Sequence, residues 1–136
     1  MRYLAIDYGD KRTGLAICDP TETIASPFAV IEGQKDLIKK ITDIVGSENV
    51  EAVVLGLPLN MDDSQGFQAE RVIQFAEQLK NHLHIPIHFQ DERLSTFGAE
   101  GKLAPAEFTR KKKKKRLDAI AAAEILEAFL EQKKLK

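Results

Sequence analysis

Apolar and polar positions along this chain follow two different periods, and the places where the period changes mark out its elements. Arg2 to Tyr8 alternates and is rich in apolar residues, which predicts a strand. Gly9-Asp10-Lys11-Arg12 is turn-like, and Thr13 to Cys18 reads as a second strand. A connection that short predicts an antiparallel hairpin. Asp19-Pro20 breaks the pattern, and Ile24 to Ile31 is a third strand whose Pro27 argues for a sheet edge. The period then lengthens. Leu37, Ile38, Ile41, Ile44 and Val45 recur at helical spacing within Gln34 to Val45, the mark of an amphipathic helix.

Ala52 to Leu57 is almost wholly apolar, as expected of a strand buried on both faces. Leu59 to Gly66 is polar, with Ser64 as an expected cap. Ala69, Val72, Ile73, Ala76, Leu79 and Leu83 then mark a second helix. Pro86 to Gln90 predicts a fifth strand, with a helical turn or two after Ser95. Pro105 is expected to open a basic loop, and helix formers run from Leu117 onward. The order is βββαβαβα. The β-α-β crossovers demand parallel neighbours, which gives a mixed five-stranded sheet covered by helices.

Composition narrows the class. At 136 residues the chain is expected to be a single domain, 1–136. A lone cysteine, Cys18, excludes a disulfide framework and any multi-cysteine metal site. No apolar run approaches the roughly 20 residues of a membrane span. Met1-Arg2-Tyr3 leads straight into a strand rather than a signal peptide, so a cytoplasmic protein is expected. The net charge of −1 conceals an asymmetry. Arg110, Lys111, Lys112, Lys113, Lys114, Lys115 and Arg116 are consecutive cations, and without them 13 basic residues face 21 acidic ones. Such a run is either a solvated charge segment or a phosphate-binding one.

Candidate chemistry lies where the parallel strands end, because ligands of open α/β sheets gather beyond those ends. The first strand ends in Asp7, and the fifth is followed by Asp91 and Glu92. A third acid, Asp118, shares a helical stripe with Ala122, Ile125 and Phe129, whereas Glu124, Glu127 and Glu131 form the opposite, solvent stripe. Each acid has an ordinary alternative. Asp7 suits a turn, Asp118 a helix-dipole role, and Asp91 and Glu92 pairing with Arg93 or lysines. Three acids from distant positions on one edge are not explained that way. Gathered carboxylates repel one another and raise each other's pKa. Oxygen-only clusters suit Mg²⁺ or Mn²⁺, and a two-metal site about 3.5–4 Å across would cleave phosphodiesters. The basic run ends two residues before Asp118, which strengthens both readings. Lys11, Arg12 and Arg93 near the same edge, Asn60 past the fourth strand and, more remotely, Arg71 are candidate contacts to nucleic acid. Thr13-Gly14 offers close backbone approach to a phosphate. His82, His84 and His88 read as surface histidines rather than a zinc site.

The stretches Leu4 to Ala16, Gly56-Leu57-Pro58-Leu59-Asn60-Met61-Asp62, Asp91-Glu92-Arg93-Leu94-Ser95-Thr96, and the lysines with Leu117-Asp118-Ala119-Ile120-Ala121-Ala122 resemble the YqgF (RuvX) family across essentially the whole chain. Its members are described as nucleases of pre-16S rRNA and as Holliday junction resolvases. The resemblance implies a ribonuclease H-like fold and a metal-dependent nuclease site. In it Asp7 matches the strand-one acid, Asp118 the acid of the last helix, and Glu92 or Asp91 the acid after the fifth strand. Reach favours Glu92. Precursor ribosomal RNA is the favoured substrate, with a DNA junction or a non-cleaving RNA-binding module as alternatives. A monomer and a homodimer are both compatible with these residues.

Overall fold

The computed structural model describes residues 1–59, 66–94 and 110–135, and for Leu94 and residues 110–117 it describes the main chain alone. The strands are β1 (Tyr3–Asp7), β2 (Arg12–Cys18), β3 (Ala25–Glu32), β4 (Ala52–Leu57) and β5 (Ile87–Asp91). The helices are α1 (Leu37–Ser47), α2 (Phe67–Lys80) and α3 (Arg110–Lys134), with a 3₁₀ turn at Glu92–Leu94. The strands form one sheet in the order β3-β2-β1-β4-β5. β1 is antiparallel to β2 and parallel to β4, and β4 is parallel to β5.

Strand alternation sorts the core into two layers, as a period of two must. Leu4, Ile6, Leu15, Val53 and Leu55 face α1 and α2, where Leu37 and Ile41 of α1 meet Val72, Phe75 and Leu79 of α2. Tyr3, Ala5, Ala16, Cys18 and Val54 face the other way and pack under Ala122, Ile125, Leu126 and Leu130 of α3. The α3 layer is built largely of alanines, so this helix lies close to the sheet.

Pro27 does sit on an edge strand. Leu15 pairs with Ala29 while Ala16 pairs with Pro27, so Phe28 is the extra residue of a bulge. Helix α1 begins three residues later than the periodicity predicts. Gln34 is taken by the turn after β1 instead: its amide donates to the carbonyls of Gly9 (2.8 Å) and Asp10 (3.1 Å) and accepts from the Tyr8 hydroxyl (3.0 Å). Gly66, not Ser64, precedes α2; Ser64 and the turns expected after Ser95 lie outside the described residues.

The largest departure concerns the basic run. It is not a loop: Arg110 to Arg116 are the first two turns of α3. Lysine and arginine are good helix formers individually, and here that outweighs their mutual repulsion. Asp118 therefore stands two turns inside the helix. A helix-dipole role, which fades within the first turn, does not account for it. No helix among the described residues is long and apolar enough to cross a membrane.

Candidate active site

Three strands end side by side at one edge. Ile6 of β1 pairs with Leu55 of β4, and Gly56 of β4 pairs with Gln90 of β5. Asp7 is therefore the next residue of β1 beside Gly56, on the face that α3 covers. Two further contacts complete the corner. Gly14 of β2 pairs directly with Asp7. A side chain there would collide with the backbone carbonyl of Asp118 and lie 3.1 Å from the Ala119 amide. The bare glycine thus lets α3 descend onto the hairpin at the turn that carries Asp118.

Gly56 does the same for Glu92. A methyl at Gly56 would lie 3.0 Å from the Glu92 Cγ, 3.1 Å from its Oε1 and 2.6 Å from the Ile125 Cδ1. The gap over Gly56 is the channel through which Glu92 reaches back across β4 to hydrogen-bond Asp7. Gly56→Ala is accordingly expected to push Glu92 aside. We expect cleavage to fall about 10²-fold, the scale of an ångström-sized misplacement, while stability drops by only about 1 kcal/mol. Single-turnover rates set beside melting curves would check this, and an unchanged rate would rule it out.

The electrostatics follow from this crowding. Burial, then the Glu92 charge and hydrogen bond, then Asp118, push Asp7 up to about 8. Burial also raises Glu92, a shift partly offset by the Asp7 hydrogen bond and reinforced by Asp91. Burial and the mutual repulsion of Asp7 and Glu92 thus both favour a protonated carboxyl at Asp7. Asp118 balances its charge differently: its Oδ2 accepts from the Arg12 Nε at 2.9 Å.

The candidates part company here. Asp7, Glu92 and Asp118 share the α3 face of the sheet edge. Asp91 points to the opposite face by strand alternation, and Arg93 clamps it: Nε donates to Oδ1 (3.0 Å) and Oδ2 (3.1 Å), Nη2 to Oδ2 (2.7 Å). Those bonds hold the Asp91 carboxyl below its usual range. Arg12 has a partner that sequence reasoning missed, Asp118. Lys11 is exposed in the hairpin turn. Lys111 to Lys115 and Arg116 lie on the first turns of α3, their side chains outside the described residues, and Asn60 lies outside them altogether. Arg71 pairs with Asp10 and covers the Phe67 ring at 5.7 Å. Gly14 is closed off by α3, so it is not a phosphate cradle. Tyr8 stacks on Phe75 at 4.2 Å. His82 lies against the Gln78 carbonyl, and His88 packs beside Phe129.

Carboxylate oxygens alone make up the convergent set, the donor type that suits Mg²⁺ or Mn²⁺. Among the described residues no group of three His, Cys, Asp or Glu side chains already stands arranged for a metal ion. Asp118 is turned towards Arg12, and Asp7 and Glu92 towards each other.

Residues 1–132 match the family described as RuvX, Holliday junction resolvase. The chain belongs to the RuvX family. One RuvX relative, from Caldanaerobacter subterraneus subsp. tengcongensis, is 44% identical, covers 98% of this chain and 99% of its own length, and is named "Putative pre-16S rRNA nuclease". A second, from Maridesulfovibrio salexigens, carries the same name at 40% identity over 96% of this chain and 98% of its own. Solved structures share the fold. RuvC from T. thermophilus, in complex with a Holliday junction substrate, superposes with a TM-score of 0.60 at 13% identity, covering 98% of this chain and 96% of its own. A Fowlpox virus resolvase with Holliday junction DNA gives 0.59 at 16% identity, covering 97% and 98%. The RuvX chain thus has the ribonuclease H-like fold, a mixed five-stranded sheet with helices on both faces.

Proposed function

We propose that this chain is a metal-dependent nuclease that hydrolyses phosphodiester bonds of structured RNA, with the precursor of 16S ribosomal RNA as its substrate. The observation that carries this reading is the convergence of Asp7, Glu92 and Asp118 at the mouth of the sheet, directly below a helix that opens with seven cations. The names of the full-length relatives support the choice of RNA.

The residues fit a divalent cation by their chemistry. A buried carboxylate pair that must keep a proton to coexist is one that a dication would relieve. Asp7 and Glu92 would hold it, with Asp118 as the third ligand. Bound there, Mg²⁺ or Mn²⁺ would supply an activated water and charge to stabilise the leaving oxygen. The chain's own part is preparation. Asp7 and Glu92 would release a proton to solvent, Asp118 would turn from Arg12 to the site, and the Arg12 guanidinium would then be available as a donor to a substrate phosphate. The basic turns of α3 hold the flanking backbone.

The family description favours a second reading, cleavage of a four-way DNA junction. A labelled panel of single-stranded RNA, precursor ribosomal RNA and a four-way junction, incubated with Mg²⁺, Mn²⁺ or EDTA, separates the two. Metal-dependent cutting of the precursor supports the proposal, and preferential paired cuts in the junction support resolution. Binding without cutting of any substrate would make the chain a docking module. The lysines have their own test. Changing three of Lys111, Lys112, Lys113, Lys114 and Lys115 to Gln is expected to lower the slope of log K against log salt by roughly one unit per lost phosphate contact. An unaltered slope and affinity would remove the basic run from the binding surface.

A further inference from the structure

A cleft of about 380 Å³ opens where the C-terminal half of α3 crosses β5. Tyr3, His88, Gln90, Phe129 and Lys133 line it. Its walls are flat. Tyr3 and Phe129 meet edge-on with centroids 5.1 Å apart, and His88 lies 5.4 Å from Phe129, tilted by 40°. His88 itself is exposed. Lys133 stands 5.1 Å over the Tyr3 ring while its ammonium binds Glu22 at 2.7 Å. The floor is unusual. Gln90 is only 3% exposed, yet its buried side-chain amide nitrogen has no hydrogen-bond partner among the described residues. An unsatisfied buried donor is costly and calls for an explanation. A ligand acceptor at that point supplies one.

The cleft adjoins the carboxylates. His88 and Gln90 occupy successive positions on one face of β5, and Glu92 follows two residues after Gln90, at the start of the 3₁₀ turn that β5 runs into. Gln90 is also paired with Gly56, the residue that lies between it and Asp7. A nucleic-acid strand with one phosphate at Asp7 and Glu92 would therefore bring a neighbouring nucleotide over His88 and Gln90.

We propose that this cleft is a subsite for one unpaired nucleobase of the substrate strand, adjacent to the phosphate held at the carboxylates. This deepens the nuclease reading and rests on it. The base stacks on His88 and Phe129, and an acceptor on its edge takes the free Gln90 N–H. Stacking tolerates every base because each has a π-face. The subsite therefore selects for an unpaired nucleotide rather than a sequence, and a fully paired strand cannot fill it.

The test is an abasic scan. A fluorescent RNA hairpin with a six-nucleotide single-stranded extension is bound to the protein in EDTA, so that nothing is cut, and an abasic site is moved along the extension. Wild type is expected to lose about tenfold in affinity at one position, the scale of a lost base–aromatic stack. His88→Ala, at an exposed position, and Gln90→Leu, which removes the donor and retains bulk, should each weaken binding of the intact RNA. Neither should lose more when that same position is abasic. A flat abasic profile, or penalties that simply add, would overturn the subsite. So would a His88→Ala protein that changes its sedimenting mass and keeps the wild-type profile, since that face would then belong to a second copy. The nuclease reading is judged separately by cleavage in Mg²⁺. Cutting with a flat abasic profile removes the subsite alone; a position-specific, non-additive penalty without cutting removes the nuclease and retains the subsite.

Discussion

Replacing Asp7 by Asn is expected to abolish cleavage, by about 10³-fold or more, while nucleic-acid binding survives and the metal-free protein becomes more stable. The side chain is nearly isosteric, so β1 and its pairing with Gly14 are unaffected. What changes is the charge. In the folded chain Asp7 titrates near 8, far above its ordinary value of 3.8, because it is buried against Glu92 and Asp118. The sign follows from proton counting. Between about pH 4 and pH 8 the unfolded chain has released a proton that the folded one retains, so stability falls as pH rises through that window. Below pH 4 both states are protonated and the penalty vanishes. Asparagine has no such proton. Melting temperatures of wild type and variant in EDTA should therefore diverge steadily from pH 5 to pH 8, with the variant higher. Mg²⁺ should raise the melting temperature of wild type and leave the variant's unchanged, since a ligand stabilises only the state that binds it. Parallel melting profiles across pH, or a variant that still cuts, would exclude Asp7 from the role given to it.

Gly14→Ala is expected to damage folding strongly. Its methyl group would strike the Asp118 carbonyl and the Ala119 amide. Both are backbone groups of a helix and cannot rotate away. Either α3 lifts from β2 or the hairpin bends, and a cost of about 3 kcal/mol, at the upper end of overpacking effects, is expected. For a chain of this length that lowers the melting temperature by about 10 °C. Activity should fall further than stability alone explains, because Asp118 rides on the same turn. Gly46→Ala is the control. Gly46 lies within α1 with nothing within 4 Å of a Cβ, so the same chemical change there should stabilise by about 0.5–1 kcal/mol. Equal effects at the two positions would show that the close approach of α3 to Gly14 is not what the glycine is for.

Gly14 and Gly56 mark the limit of what the sequence makes legible. Alternation from Arg2 to Cys18 and the apolar run Ala52 to Leu57 announce the sheet, because burying one or both faces demands those periods. The edge that collects Asp7 and Glu92 follows from strand direction. Asp118 is legible because an acid on an apolar stripe is out of place. The start of α3 is not. Seven like charges read as solvated coil, and only the packing of Ala122, Ile125 and Leu126 shows that the helix they extend is anchored firmly enough to carry them. The different settings of Asp91 and Glu92 are only half legible: Asp91 closes β5, whereas Glu92 opens the 3₁₀ turn and is carried over Gly56. The pairing of Arg12 with Asp118 spans 106 residues and leaves no local trace. Nor does Gln90, which reads as an ordinary polar strand residue until the cleft above it is seen.

The three acids also stand in an order that matters while the chain is being made. Asp7 lies in β1, Glu92 follows the last strand, and Asp118 comes only with α3. Synthesis runs from the N-terminus, and each newly made stretch can fold only with what precedes it. A nascent chain that has completed all five strands still has one layer of its core uncovered, and it lacks the third carboxylate. Covering that layer and delivering Asp118 to Gly14 are the same event, the docking of α3. The carboxylate corner is therefore completed only by the last element of the chain to be made, α3.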